Sequence, residues 1–589
     1  MQIRTQHNTN VPAWLMGTLA IGCLSGYACG QIFTDIDADL GPTGFTSFIP
    51  GDGPPAVLQW GDYDNDGDLD LIVTGFGQQY IPNGLFTRTT AYRNDGNDTF
   101  TANISTFPET PGGAVHWGDF DNDADLDLLI SGSDDNEIFT SLFKNLGGGQ
   151  FQNTFADLIP AANGSVEWGD FDNDGDQDIL QTGANGNPFT RLYRNQGNGD
   201  FEIVEAGLEQ VTAGEAIFTD YDNDGDLDIV LGGSTFDGTP VTQIYRNDGS
   251  NSWVNIEADL PGLLSLTIDA GDYDGDGDVD LVVTGAPSEF SDGQTFIYRN
   301  EGADTFVQDD QPIVDVFNGD AQWGDYDNDD DLDLLVAGLD SPFSPQKFVR
   351  LYENDGTGTL NEVQNTGLPD GLKAFQWGDY DNDGDLDLAA IGDPVIDEDG
   401  DGQDDTSTVP QTWVFRNDLS NEANAVPAPT SLDIDVQDNG DVTFSWQQPQ
   451  SFDGPLTFNL RVSTTPQDMN VVTSMTDPVL NSRLVAEGGN VGTNTSWTVH
   501  DLSEGEYYWS VQAIAANQGA STFAAEQSFT IDADDAPDAD LSGNGSVDVP
   551  DLLILLSVWG NADALPAADL NGDGAVDVQD LLVLLSQWG

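Results

Sequence analysis

The sequence predicts a mainly β chain made of a seven-bladed β-propeller, a β-sandwich and a small α-helical module. Three observations predict it. The stretch WGDYDNDGDLDLIVTG at residues 60–75 returns six more times, its acidic run starting at Asp62, Asp119, Asp170, Asp220, Asp272, Asp325 and Asp379, at spacings of 50 to 57 residues. Near residue 420 the acidic loops cease and a plain β pattern takes over. At the end stand two copies of another unit, ADLSGNGSVDVPDLLILLSVWG and ADLNGDGAVDVQDLLVLLSQWG. Near-equal units repeated at such a period mean a repeat architecture.

Each of the seven units runs through an apolar approach such as VLQW, the acidic loop, a run such as LDLIVTG, and a hairpin such as LYRNQGNGDF, which reads as four short strands. Leu71, Ile72 and Val73 are apolar on successive positions, as in strands covered on both faces by neighbours. A ring of such sheets removes the long open edges that a linear solenoid, the rival arrangement, would leave at its ends. The two ends of the array favour the ring. The seventh unit stops at VFRNDLSNEANAV without a fourth strand, and QIFTDIDADL at 31–40 supplies an orphan one.

A basic residue recurs before the hairpin asparagine, at Arg93, Lys144, Arg194, Arg246, Arg299 and Arg416, with Glu353 in the sixth unit. This row is expected to pair with aspartates of its own or the next unit. Asn-Asp-Gly and its relatives then supply the turn.

With 589 residues the chain is long enough to bury several cores. Lys plus Arg number 14 against 104 acids, a formal charge of -90 that repels nucleic acid and anionic lipid. Residues 1–30 read as an export signal, with an apolar run from Val11 to Leu24 that is too short to span a membrane. Cleavage after Gly30 removes both cysteines, Cys23 and Cys29, and gives a secreted or cell-surface protein without disulfides. A lipoprotein acylated at Cys23 is the rival outcome.

The loops have the chemistry of a cation cage. Calcium takes six to eight oxygens, which a tight loop offers from alternate positions when a glycine permits the bend. In the first loop Asp62, Asp64, Asp66 and Asp70 fall at positions one, three, five and nine, Gly67 makes the bend, and Asp68 at position seven offers its backbone carbonyl. The same five positions recur as Asp119, Asp121, Asp123, Asp125 and Asp127, and as Asp170, Asp172, Asp174, Asp176 and Asp178. They continue as Asp220, Asp222, Asp224, Asp226 and Asp228, then Asp272, Asp274, Asp276, Asp278 and Asp280. The last two sets are Asp325, Asp327, Asp329, Asp331 and Asp333, then Asp379, Asp381, Asp383, Asp385 and Asp387. Ala124 and Asp330 replace the glycine in the second and sixth loops, where backbone strain is expected to weaken metal binding.

DxDxDGxxD loops inside repeated four-stranded units resemble the FG-GAP or VCBS repeats of integrin alpha-subunit propellers, over residues 31–420. The resemblance implies Ca2+ loops between the first and second strands on one face of the ring, with ligands docking on the other. IDEDGDGQDD, with Asp397, Asp399, Asp401 and Asp405 around Gly402, resembles a thrombospondin type 3 calcium repeat and falls between the second and third strands of its unit.

After a linker at 421–427, residues 428–532 carry six candidate strands. They are Ser431 to Val436, Val442 to Trp446, Leu456 to Val462, Trp497 to His500, Tyr507 to Ile514 and Ser528 to Ile531. LSEGEYYWSVQA resembles the tyrosine-corner region of a fibronectin type III domain, with Trp446 as the core tryptophan, although Glu504 stands where proline is common. Such a domain is expected to act as a spacer.

Beyond a linker at 533–537, residues 538–589 pair two acidic loops with two helices. Asp540, Ser542, Asn544, Asp548 and Asp551 form an EF-hand-like ligand set, and Asp569, Asn571, Asp573, Asp577 and Asp580 form the fuller second set. This resembles a type I dockerin, which implies a cohesin-like or envelope partner. The pairs Val549-Pro550 and Val578-Gln579 lack the hydroxyls of cellulosomal dockerins. Leu552, Leu553, Leu555 and Leu556 are expected to pack against Leu581, Leu582, Leu584 and Leu585.

His7, His116 and His500 are the three histidines, and none sits in a nucleophile motif. The expected function is calcium-stabilised, noncatalytic recognition of a glycan or extracellular protein, with GFGQQYIPNGLF at 75–86 among the contact loops. Polysaccharide cleavage by a lyase or a carboxylate-pair hydrolase is the alternative, since such a pair is defined in space rather than in sequence. A structural surface role is third.

Overall fold

Seven four-stranded antiparallel sheets close into a ring in the computed structural model of the chain. The description covers residues 31–586 apart from 41–56, 78–85, 394–410, 420–423, 532–538, shorter stretches within 104–112, 134–136, 343–345 and 540–574, and scattered single or paired positions. The contact loop expected at 75–86 and the 397–405 loop lie largely or wholly outside the described residues.

Strands follow chain order within a unit. In the first they are Leu58–Gly61, Asp70–Gly77, Phe86–Asn94 and Phe100–Ala102. The seventh sheet takes Leu372–Gly378, Asp387–Gly392 and Gln411–Asn417 from its own unit and Phe33–Asp35 from the start of the chain, with Phe33 opposite Asn417. Phe33 is fully buried against Tyr326 and Trp377. The orphan strand thus completes the last sheet.

Second strands are sandwiched by both neighbouring units, so Leu71, Ile72 and Val73 are all fully buried. First strands touch one another in sequence around the ring, including the first with the seventh, and therefore line its centre. The glycine that ends a first strand makes this approach fit. A Cβ at Gly61 would stand 2.6 Å from the Trp117 ring of the next unit, and one at Gly378 would stand 2.5 Å from Trp60, so the closing seam is built like the others.

The sandwich has two three-stranded sheets, one of Thr430–Val436, Val442–Gln447 and Ser496–Val499, the other of Leu456–Ser463, Gly505–Ala515 and Gln527–Ile531. Phe444, Trp446, Phe458 and Trp509 fill the space between them. The Tyr507 hydroxyl donates to the Ser503 carbonyl at 2.8 Å.

This sandwich is no spacer. The Asp62 amide donates to the Leu484 carbonyl at 2.8 Å, and the His500 amide donates to the Asn173 carbonyl at 2.8 Å. Met469, Met475, Leu484 and Val485 join one core with Tyr63 and Trp117. All four come from the long connection between Ser463 and Ser496, which also sends Val472 and Val491 into the sandwich's own core. A connection of that length inside a compact domain usually has a task, and this was the signal in the sequence.

The C-terminal helices, Val549–Ser557 and Val578–Ser586, pack through buried Leu555 and Leu584. Leu553, Leu556, Leu582 and Leu585 are instead exposed, at 47 to 61%. At 3.6 residues per turn four clustered leucines cover more than one face, and only the stripe holding Leu552 and Leu555 meets the partner helix.

Phe33→Ala should open the ring at its seam. The expected loss is about 3 kcal/mol or more, read from urea unfolding, because the side chain leaves a cavity between two units.

Candidate metal loops

Each loop is shaped by its own carboxylates. Position one gathers the backbone of the bend, with Asp62 Oδ1 accepting from the Asp66 amide at 3.0 Å and Oδ2 from the Gly67 amide at 2.9 Å. Position nine ties the loop to its unit, with Asp70 accepting from the Tyr63 amide at 3.1 Å and the Asn94 amide at 2.7 Å. All seven loops share this pattern, down to Asp379 with Gly384 at 3.0 Å and Asp387 with Asn417 at 2.8 Å.

The bend needs a left-handed residue, and Gly67 has φ +96°. Ala124 and Asp330 also adopt it, at φ 67° and 72°. Their amides still reach Asp119 at 2.9 Å and Asp325 at 3.1 Å, so the second and sixth loops keep their shape at a local cost of about 1 kcal/mol.

Carboxylate oxygens of Asp62, Asp64 and Asp66 come within 4.8 Å of one another. So do those of Asp119, Asp121 and Asp127, of Asp170, Asp172 and Asp178, of Asp220, Asp222 and Asp228, and of Asp272, Asp274 and Asp276. At position three Oδ1 of Asp64, Asp121, Asp172 and Asp274 is buried with no hydrogen-bond partner. A hard cation fits such inward, unsatisfied oxygens. Without one the loops hold protons, because burial and then neighbouring carboxylates push Asp62 up to about 7 and burial pushes Asp70 and Asp127 to about 9.

Position four links the loops to one another. Asn65, left-handed at φ 58°, donates from Nδ2 to the Ala124 carbonyl at 3.4 Å and to Asp125 at 2.6 Å in the next unit. Asn122, Asn173, Asn223 and Asn328 repeat the link, and Asn382 closes it onto Gly67 at 3.1 Å and Asp68 at 2.9 Å. Asp68 therefore spends its side chain on the neighbour and has its backbone left for a metal. Gly275 replaces the asparagine in the fifth unit and has no side chain to offer the sixth.

The docked sandwich touches the same loops. Asn494 Nδ2 donates to Asp220 Oδ2 at 2.7 Å, and Asn517 Nδ2 donates to Asn328 Oδ1 at 2.6 Å. Neither asparagine carries a motif visible in the sequence.

In the C-terminal module Asp540, Ser542, Asn544, Asp548, Asp569, Asn571 and Asp573 lie outside the described residues. Asp551 and Asp580 are buried, and Asp580 accepts from the Leu570 amide at 2.6 Å and the Asp577 amide at 2.7 Å.

Two outcomes are expected. Folded-state pKa values raised above those of the unfolded chain make the folded state hold extra protons between pH 4 and 9, so in chelator the melting temperature should fall as pH rises through that window. Calcium should flatten the dependence. Gly275→Asn has open space around its Cβ and the backbone of its six counterparts, so it should stabilise the ring by about 0.5–1.5 kcal/mol, read from denaturant midpoints.

Comparison with known proteins gives one family match, to the FG-GAP-like repeat, over residues 62–130, 119–181, 220–283, 272–336 and 325–390. Comparison with curated proteins found no match. Among solved structures, a fungal alcohol oxidase of the AA5 family in complex with copper is 14% identical with a TM-score of 0.42, covering 84% of this chain and all of its own. The extracellular domain of a hybrid two-component system from B. thetaiotaomicron is 10% identical with a TM-score of 0.36, covering 85% of this chain and 58% of its own. The Aleuria aurantia lectin is 13% identical with a TM-score of 0.31, covering 56% and 99%. Among the described residues no helix is long and apolar enough to cross a membrane. The chain carries five FG-GAP-like repeats within a repeat β-propeller.

Proposed function

We propose that this is a secreted or cell-surface recognition protein, a seven-bladed propeller that Ca2+ stabilises and that binds a glycan or an extracellular protein without catalysis. The observation that carries it is the repeated cage, with position-three oxygens buried and unsatisfied in four loops. Calcium tenfold above its Kd adds about 1.4 kcal/mol per site by mass action, so seven sites rival the stability of a domain. The fibronectin-like sandwich covers the loop face and leaves the rim and the opposite face for ligand. The dockerin-like module presents Val549, Leu553, Leu556, Val578, Leu582 and Leu585 to a cohesin-like or envelope partner.

One observation favours a second function, polysaccharide cleavage. Glu215, Asp269 and Asp320 line a cavity of 560 Å³ at the centre of the ring, capped by Glu487 of the sandwich. Burial pushes Asp269 and Asp320 up to about 7 and Glu215 up as well, and a carboxyl neutral near pH 7 is what a general acid requires.

Incubation of residues 31–589 with a polysaccharide panel, in calcium or chelator, separates the two. Calcium-dependent retention without soluble sugar is the expected result. Sugar release that Glu215→Gln abolishes would replace recognition with catalysis.

A further inference from the structure

At two seams between units a tyrosine, an arginine and the next unit's aspartate meet, and at another the tyrosine and arginine stand without an aspartate shared between them. At the seam between the seventh and first units, Asp98 accepts from the Tyr380 hydroxyl at 2.8 Å and from Arg416 Nη1 at 3.1 Å. At the seam between the fourth and fifth, Asp304 accepts from the Tyr221 hydroxyl at 2.7 Å and from Arg246 Nη1 at 2.6 Å. In each case the tyrosine follows position one of a loop, the arginine belongs to the same unit, and the aspartate comes from the next unit's hairpin turn.

Tyr63 and Arg93 supply the first two parts between the first and second units. The turn residue facing them is Gly149, at φ +70° where Asp98 and Asp304 each have φ 59°. Arg93 pairs with Asp95 of its own turn through Nε and Nη2, and among the described residues its Nη1 has no acidic partner. The Tyr63 hydroxyl meets neutral Asn103. In place of the aspartate lies a cavity of 620 Å³ whose lining includes Tyr63, Arg93, Asn103, Phe107, Gln150 and Phe151.

Other seams that lack the aspartate do not bring an arginine and a tyrosine to one cavity without a shared carboxylate. Between the second and third units the tyrosine is Phe120, which packs toward Gly199, and Lys144 turns back onto Asp121 and Asp123. Between the fifth and sixth, Asp309 of the same unit takes both the Tyr273 hydroxyl and Arg299.

We propose that this cavity binds the carboxylate of an acidic sugar, a uronate, whose carboxyl group takes the place that Asp98 and Asp304 fill elsewhere. Arg93 would hold the carboxylate with a charge-assisted hydrogen bond. The rings of Tyr63, Phe107 and Phe151 offer an apolar wall to the pyranose, while Asn103 and Gln150 reach its hydroxyls. The volume is that of a small-ligand site rather than of a lone ion. Asp64 also borders the cavity, and calcium bound in its loop, as proposed above, would offset that charge. The choice of a sugar rests on the glycan-recognition function proposed above.

The full chain in calcium is titrated with galacturonate and glucuronate by calorimetry, with their methyl esters, glucose and acetate as controls. Uronates are expected to bind, and esters, glucose and acetate at least tenfold more weakly. Arg93→Gln should weaken uronate about tenfold or more. Gly149→Asp should abolish it by supplying the missing carboxylate in cis. A Cβ at 149 would stand 2.9 Å from Asn103 Nδ2 and from Tyr63, so its fold is checked by melting temperature, with Arg93→Gln as the independent variant. Uronate binding unchanged in Arg93→Gln, no uronate binding, or ester binding equal to uronate would each overturn the site. A neutral polysaccharide still retained by the same protein would leave glycan recognition standing, so the two failures are distinct.

Discussion

One side chain per unit holds the ring together. The hairpin asparagine gives its amide to the position-nine aspartate of its own loop and its Nδ2 to the backbone of the preceding loop. Asn145 thus reaches Asp127 at 2.7 Å and the Tyr63 carbonyl at 2.8 Å. Asn94 does the same to Asp70 and the Tyr380 carbonyl, so the chain of contacts returns to its start. All seven are buried. A buried amide with each partner satisfied fixes geometry as well as adding stability, since losing one partner strands the other. Loop shape, the clustering of the aspartates and the seam therefore depend on the same residue.

The electrostatics follow from that frame. A fold that packs several aspartates into each bend needs either protons or a cation between them, and the backbone amides gathered by Asp62 or Asp119 offset only part of the charge. At the ring's centre the logic is pairwise. Burial opposes charge on His116, yet Glu167 at 3.1 Å and Glu487 of the sandwich at 3.6 Å outweigh it and push the imidazole up to about 10. The sandwich is thereby fastened by an ion cluster around buried His116 as well as by apolar contact.

Much of this was legible in the sequence. Four strands per unit, the aspartate spacing of the loops, the basic row and the completing strand at Phe33 follow from short-range pattern, because alternation and turn chemistry are local. Tertiary contact decided the rest. Nothing local distinguishes Asn494, which reaches Asp220, from any loop asparagine, and the leucines of the final helices look equivalent until packing chooses Leu555 and Leu584 over Leu553 and Leu582. Gly149 is a routine turn glycine until the seams are superposed.

The completing strand also sets a clock. Thr34 and Asp418 meet across 384 positions of chain, so the Phe33–Asp35 strand cannot be paired early. At synthesis rates of about 5–20 residues per second, Phe33 waits roughly 20 to 80 s for its partner to exist. For that interval an apolar β edge is unpaired and open to other chains. The contact that makes the finished ring edgeless is thus the last to form, and the nascent chain is most prone to aggregate just before it does.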